Sequence, residues 1–251
     1  MSRVAVVASS LFVAACTLDT ISPAAGNEAM QAMKAGDALM KQPTDSNASV
    51  AARYYKKAAD LGNPWGAYKY GNMLFEGQGV EKDIPAAVAA YTLAADKGNH
   101  WAQYRLGEIL VDGTGVEKEP ERGRELLAKA AAQDNPWAQY RLGDIYLNGT
   151  GVEKDLAKAM TYLTPSASAG NAWAQVRLGE MYVSGTGVAK DVAKGRSYLE
   201  KSAAQDNTFA QYALANLIVD QDPDRARALL KKAADAGNEL AAKRLKQLGA
   251  G

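Results

Sequence analysis

Apolar and polar positions recur along this chain with a period of 36 residues. Residues 63–71 (NPWGAYKYG) are followed at that spacing by 99–107 (NHWAQYRLG), 135–143 (NPWAQYRLG) and 171–179 (NAWAQVRLG). A fifth copy, 207–215 (NTFAQYALA), keeps the register, and one period upstream Asn27 opens a degenerate copy over 27–61. A helix turns about 100° per residue, so offsets 3, 7, 8, 10 and 11 from each starting Asn share one face. In the copy that starts at Asn99 they are Ala102, Leu106, Gly107, Ile109 and Leu110. This apolar seam predicts one amphipathic helix per copy, with Gly and Ala letting its neighbours come close.

Each copy predicts a second helix as well. The starting Asn suits an N-cap, and Pro64 and Pro136 stand where a first-turn proline is tolerated. The first helices run to about Phe75, Val111, Leu147 and Val183 and stop at paired glycines, as in Gly113-Thr114-Gly115. Second helices begin near Asp83, Glu119, Asp155 and Asp191 and end near Gly98, Asp134, Gly170 and Asp206. Pro165 falls inside one of them and predicts a kink or a stop after Leu163.

The pattern Ala102…Leu106-Gly107…Gly113-x-Gly115-Val116, repeated at Ala138…Leu142-Gly143…Gly149-x-Gly151-Val152, resembles the Sel-one-like repeat family, a relative of the tetratricopeptide repeats. The paired alanines Ala94-Ala95, Ala130-Ala131 and Ala203-Ala204 fit its second-helix ends. The resemblance implies an all-α, right-handed superhelical solenoid of about six helix-pair repeats over residues 27–237. The first and last copies lack the Gly-x-Gly turn, and the last is shortened. Residues 238–251 read as a basic amphipathic helix that caps the array.

Offsets 2, 5, 9 and 13 fall opposite the seam. All four tryptophans occupy the first of these, with Phe209 in the fifth copy. In related superhelices the first helices line the concave surface, so Trp65, Tyr68, Trp101, Tyr104, Glu108, Trp137, Tyr140, Asp144, Trp173 and Glu180 are the candidate partner-binding residues. They give two readings: an aromatic ladder flanked by carboxylates that meets a ligand, or aromatics packed onto the adjacent repeat. Gln103, Gln139, Gln175 and Gln211, beside the seam, are expected to hydrogen-bond between repeats. Arg105, Arg141 and Arg177 are expected to pair with neighbouring acids, and His100 to be a surface residue.

The first residues read differently. Arg3 precedes the apolar run Val4–Val13, far short of the roughly 20 residues a spanning helix needs. Val13-Ala14-Ala15-Cys16 resembles the bacterial lipobox, which implies cleavage of a 1–15 signal peptide and lipidation of Cys16. Residues 16–26 read as a tether. Thr17 after the cysteine implies an outer-membrane lipoprotein facing the periplasm.

Composition narrows the chemistry. There are 29 Lys+Arg against 28 Asp+Glu, so no large basic field offers itself to nucleic acid. One Cys and one His exclude an internal disulfide framework, multi-thiolate zinc and multi-His metal sites. The Gly-Thr-Gly segments connect helices and lack the Lys-Ser/Thr of a phosphate loop. Nothing predicts a catalytic residue, a cofactor or a metal, and the chain reads as a non-enzyme. Cysteine-bridged relatives with antibiotic-binding or hydrolytic activity have no counterpart here, because those cysteines are missing. The resemblance implies a lipid-anchored envelope scaffold for protein partners, in an envelope or polysaccharide-export complex. The alternative is direct carbohydrate or peptidoglycan binding through the concave aromatic ladder.

Overall fold

The computed structural model describes residues 22–249, which form thirteen α-helices and no strand. They pair as α1 (Pro23–Leu39) with α2 (Asp45–Asp60), α3 (Pro64–Glu76) with α4 (Ile84–Asp96), and α5 (His100–Asp112) with α6 (Pro120–Ala131). The array continues with α7 (Pro136–Asn148) and α8 (Leu156–Ser168), then α9 (Ala172–Ser184) and α10 (Val192–Ala203). It ends with α11 (Thr208–Ile218), α12 (Pro223–Asp235) and the single helix α13 (Glu239–Gly249). Each helix contacts the next in order, which is a solenoid of six helix pairs closed by a terminal helix.

The repeating asparagines set the helix starts. Oδ1 of Asn63, Asn99, Asn135, Asn171 and Asn207 each accepts the backbone N–H three residues on, at 2.9–3.0 Å. Such a cap contributes about 1 kcal/mol. Asp83, Asp155 and Asp191 cap second helices in the same way at 2.9 Å, while Glu119 makes no side-chain cap bond. The first helices end in the left-handed region, as at Gly113 with φ 70°, where a Cβ would cost energy.

Inside a pair, close approach depends on facing glycines. A Cβ on Gly107 would stand 2.9 Å from the Gly123 carbonyl oxygen, and one on Gly123 would stand 2.8 Å from that of Gly107. Gly179 and Gly195 repeat the arrangement between α9 and α10. Between pairs, Nε2 of Gln103, Gln139, Gln175 and Gln211 donates to the carbonyls of Ala95, Ala131, Ala167 and Ala203 at 3.1–3.3 Å. The glutamines therefore join repeats, as the sequence predicts.

First helices of successive pairs touch one another (α1–α3, α5–α7, α7–α9, α9–α11), and no pair of second helices does so to the same extent. The first helices accordingly line the inner side of the array.

Three expectations need correction. Helix α8 does not stop after Leu163; it runs through Pro165 to Ser168. Pro165 stands in the last turn, so only the bond to the Thr161 carbonyl is lost, and Ser166 Oγ ties the segment to the Pro136 carbonyl at 2.6 Å. Residues 23–26, expected to belong to a 16–26 tether, are helical, because Ser22 caps α1 and Pro23 occupies its first turn. Asn27 thereby lies inside α1 and caps nothing. Val176, at the offset that Tyr104 and Tyr140 occupy in their copies, is buried with Leu199 and Leu214. Residues 1–15 and Cys16 lie outside the described residues.

Candidate functional site

The tryptophans stand at the second position of their helices, where the inner face meets the edge formed by the inter-repeat turns. The structure does not line them up as one ladder. Tyr68, Trp101, Tyr104 and Trp137 come together with Asn72, Glu76 and Arg105 around a hollow of about 320 Å³ on α3, α5 and α7. Trp65, which is 43% exposed, lies outside it, edge-on to Tyr68 at 6.0 Å and to His100 at 6.5 Å. His100 also meets Trp101 at 5.4 Å, so its half-buried ring is wedged between two indoles. Trp173 packs on Phe209 at 5.2 Å. Packing onto the adjacent repeat is thus seen for Trp65 and Trp173, whereas Trp101 and Trp137 line the hollow.

Charge on this face is organised between repeats. Arg141 bonds Asp112 of the preceding repeat, and Arg177 bonds Asp144 at 2.8 Å and Glu180 at 3.4 Å. Lys69 reaches Asp37 at 2.5 Å. The basic residues thus pair with acids, as the sequence predicts, and Tyr140, Asp144 and Glu180 continue the line beyond the hollow. Arg105 is different. It lies over the Phe75 ring at 4.9 Å, approaches Glu108 at 3.5 Å and forms part of the hollow's wall.

Glu108 is a half-buried acid on this face. Burial raises its carboxyl above the ordinary value, and the neighbouring Tyr104 hydroxyl, Arg105 and Arg141 only partly oppose this. The Tyr104 hydroxyl is itself pushed well up by burial and by Glu108. Under the floor, burial raises the Tyr91 hydroxyl to about 12, and it donates to Asn72 Oδ1 at 2.7 Å. The hollow therefore has a floor braced by a hydrogen bond, aromatic walls and one acid at its rim, Glu76. Such a surface suits shape-complementary binding of another chain.

Sequence reasoning missed a second feature. Asn99 and Asn171 are buried N-caps whose Nδ2 has no partner, whereas Asn135 Nδ2 bonds His100 Nδ1 at 3.1 Å. The partner comes from the first-turn residue of the preceding repeat, so the signal was the substitution of His100 by Pro64 and Pro136. Among the described residues, no helix is long and apolar enough to cross a membrane, and no group of three or more His, Cys, Asp or Glu could hold a metal.

The Sel1 repeat family matches residues 35–63, 66–99, 102–135, 138–171, 174–207 and 208–238. A Sel1 repeat protein from Oxalobacter formigenes is similar at 31% identity and TM-score 0.78, covering 86% of this chain and 89% of that one. The protective antigen c5321 of uropathogenic Escherichia coli, which displays the same fold, is 30% identical at TM-score 0.77. That alignment covers 88% of this chain but 49% of the antigen, so the chain spans about half that relative's length. The immunity protein Pa5087 from Pseudomonas aeruginosa, at 24% identity and TM-score 0.52 over 90% of this chain and 85% of its own, shares the fold alone. No curated protein matches the chain. Six consecutive matches spanning most of the described residues make this chain a member of the Sel1 repeat family.

Proposed function

We propose that the chain is a lipid-anchored scaffold of the bacterial cell envelope that holds a protein partner in the hollow on α3, α5 and α7. Sel1 repeat proteins generally mediate protein–protein contacts and are generally non-catalytic. The observation that carries the proposal is the hollow itself. Trp137 stays 38% exposed beside Trp101 and Tyr104, next to Arg141 and Arg177, which are already paired with Asp112 and Asp144. A large, half-exposed aromatic in a hollow is the usual anchor of an interface. The lipobox-like Val13–Cys16 supports the anchor, two or more acyl chains being enough for stable membrane attachment.

Direct glycan binding along the whole ladder has less support, because Trp65, Trp101 and Trp173 are engaged with His100 and Phe209. Two measurements test the proposal. Labelled palmitate is expected to enter the chain and to be lost in Cys16→Ser. Affinity capture from detergent-solubilised envelopes is expected to recover a partner that a Glu76→Arg, Trp137→Ala variant of unchanged helicity does not hold. Equal recovery by both proteins contradicts the assignment of the hollow.

A further inference from the structure

Neighbouring copies of the repeat can be compared position by position, and the inner hollow on α3, α5 and α7 differs from the next copy at one acid. Asp112 stands at offset 13 from Asn99, and the guanidinium of Arg141, at offset 6 in the following copy, bonds it. Glu76 and Arg105 hold the same two places one copy earlier. They do not pair. Arg105 lies over the Phe75 ring at 4.9 Å and approaches Glu108 at 3.5 Å instead. Glu76 is left exposed at the rim of the hollow, with no ion pair among the described residues.

The hollow has two charged walls, Glu76 and Arg105. The charge of Arg105 is met by Glu108, whereas that of Glu76 is met by nothing. Lys82 is held over Phe75 at 5.8 Å and is not among the walls. The unmatched carboxylate stands beside Trp101, Tyr104 and Trp137, so the hollow pairs aromatic surface with one free negative charge. A larger cleft, of about 460 Å³, lies at the edge of the array where the starts of α7, α9 and α11 converge. Its one carboxylate, Asp206, is already paired with Lys232 at 2.5 Å, so it offers aromatics without a free charge.

We infer that the inner hollow takes an arginine side chain of the protein partner, an assignment that rests on the scaffold reading above. The guanidinium donates to Glu76 as Arg141 donates to Asp112, and its flat face lies on the indole of Trp101 or Trp137 as Arg105 lies on Phe75. The chain itself thus contains an example of each contact. Arginine suits this combination better than lysine. Its planar fork bonds both oxygens of a carboxylate while its face stacks on a ring, and it sheds water more readily than a compact ammonium. A stack on a half-exposed indole and a pair with an exposed acid are each weak. Together they give about a tenfold preference over an uncharged side chain of the same shape.

The test is a titration of the full chain, carrying isotopically labelled tryptophan, with N-acetyl-arginine amide and with the lysine and citrulline compounds of the same form. Citrulline is an uncharged copy of arginine. The chain has four tryptophans, whose indole N–H signals are assigned by replacing each with phenylalanine in turn. The arginine compound is expected to shift the Trp101 and Trp137 signals saturably and to leave Trp173 unchanged. The citrulline compound is expected to bind about tenfold more weakly, with the lysine compound between the two. Glu76→Gln, at an exposed position, is expected to melt as the parent does and to weaken arginine binding about threefold or more. Glu153→Gln, on the turn between α7 and α8, is expected to bind as the parent does. Absence of a saturable shift, equal response to arginine and citrulline, equal response to arginine and lysine, or unchanged binding by Glu76→Gln overturns the inference. The titration uses no partner, so such a result leaves the affinity capture standing, and a capture that recovers nothing leaves the titration readable.

Discussion

His100 and Glu108 show how single side chains of this array carry opposite pH dependences. Burial lowers the His100 ring below its ordinary 6.5, and its Nδ1 must be unprotonated to accept from Asn135. The native state thus binds this proton less tightly than the unfolded chain. The stability it contributes is present above 6.5 and lost as pH falls through the native value. As the chain's only histidine, it is read directly by a ring-proton titration, expected to have its midpoint below 6.5. His100→Thr, copying the Thr208–Asn238 pair, is expected to flatten that part of the stability profile. Glu108 runs the other way. Its raised native value means that stability falls as pH climbs from 4.5 through the native value. Glu108→Gln is expected to raise the melting midpoint at neutral pH and to leave it nearly unchanged in acid. A lowered midpoint at neutral pH would show that the ion pair with Arg105 outweighs burial. A third residue-scale case is Gln139, whose Oε1 is buried without a partner, whereas Gln103 and Gln175 accept there from Gln133 and Gln205. The matching position is Ala169, and Ala169→Gln is expected to stabilise by about 0.5–1.5 kcal/mol in denaturant unfolding.

At the scale of elements, the helix pair is held by backbone proximity as much as by side-chain burial. Gly123→Ala would place a methyl 2.7 Å from Val111 Cγ2 and 2.8 Å from the Gly107 carbonyl. It is expected to destabilise by about 1–3 kcal/mol, while Gly98→Ala, with open space but φ 82°, pays only for its backbone conformation. Unchanged stability in Gly123→Ala would mean that α5 and α6 can separate without cost. These helices were legible in the sequence because caps, seam and Gly-x-Gly turns recur at fixed offsets. The misreadings came where local rules met a repeat context. Pro165 is tolerated because it falls in a last turn that Ser166 anchors, and Asn27 loses its capping role because Ser22-Pro23 offers an earlier start. Both outcomes depend on neighbours that periodicity does not encode.

For the whole molecule, the sequence disclosed the order of stacking and the face that carries the tryptophans, but not how that face divides. The division depends on residue pairs about one repeat apart: Trp65 with His100, Trp173 with Phe209, and Pro136 with Asn171. A helical wheel treats each repeat alone and cannot see such pairs. What results is a scaffold with an inner hollow at α3, α5 and α7 and an edge cleft at α7, α9 and α11. The central claim is that the inner hollow is the partner-binding surface. The most direct measurement is quantitative affinity capture with three proteins: the parent, Glu76→Arg with Trp137→Ala, and Lys194→Glu on the second helix α10. The account predicts a partner that the parent and the α10 variant hold equally and the hollow variant loses. A partner retained by the hollow variant, or lost only with Lys194→Glu, would contradict it.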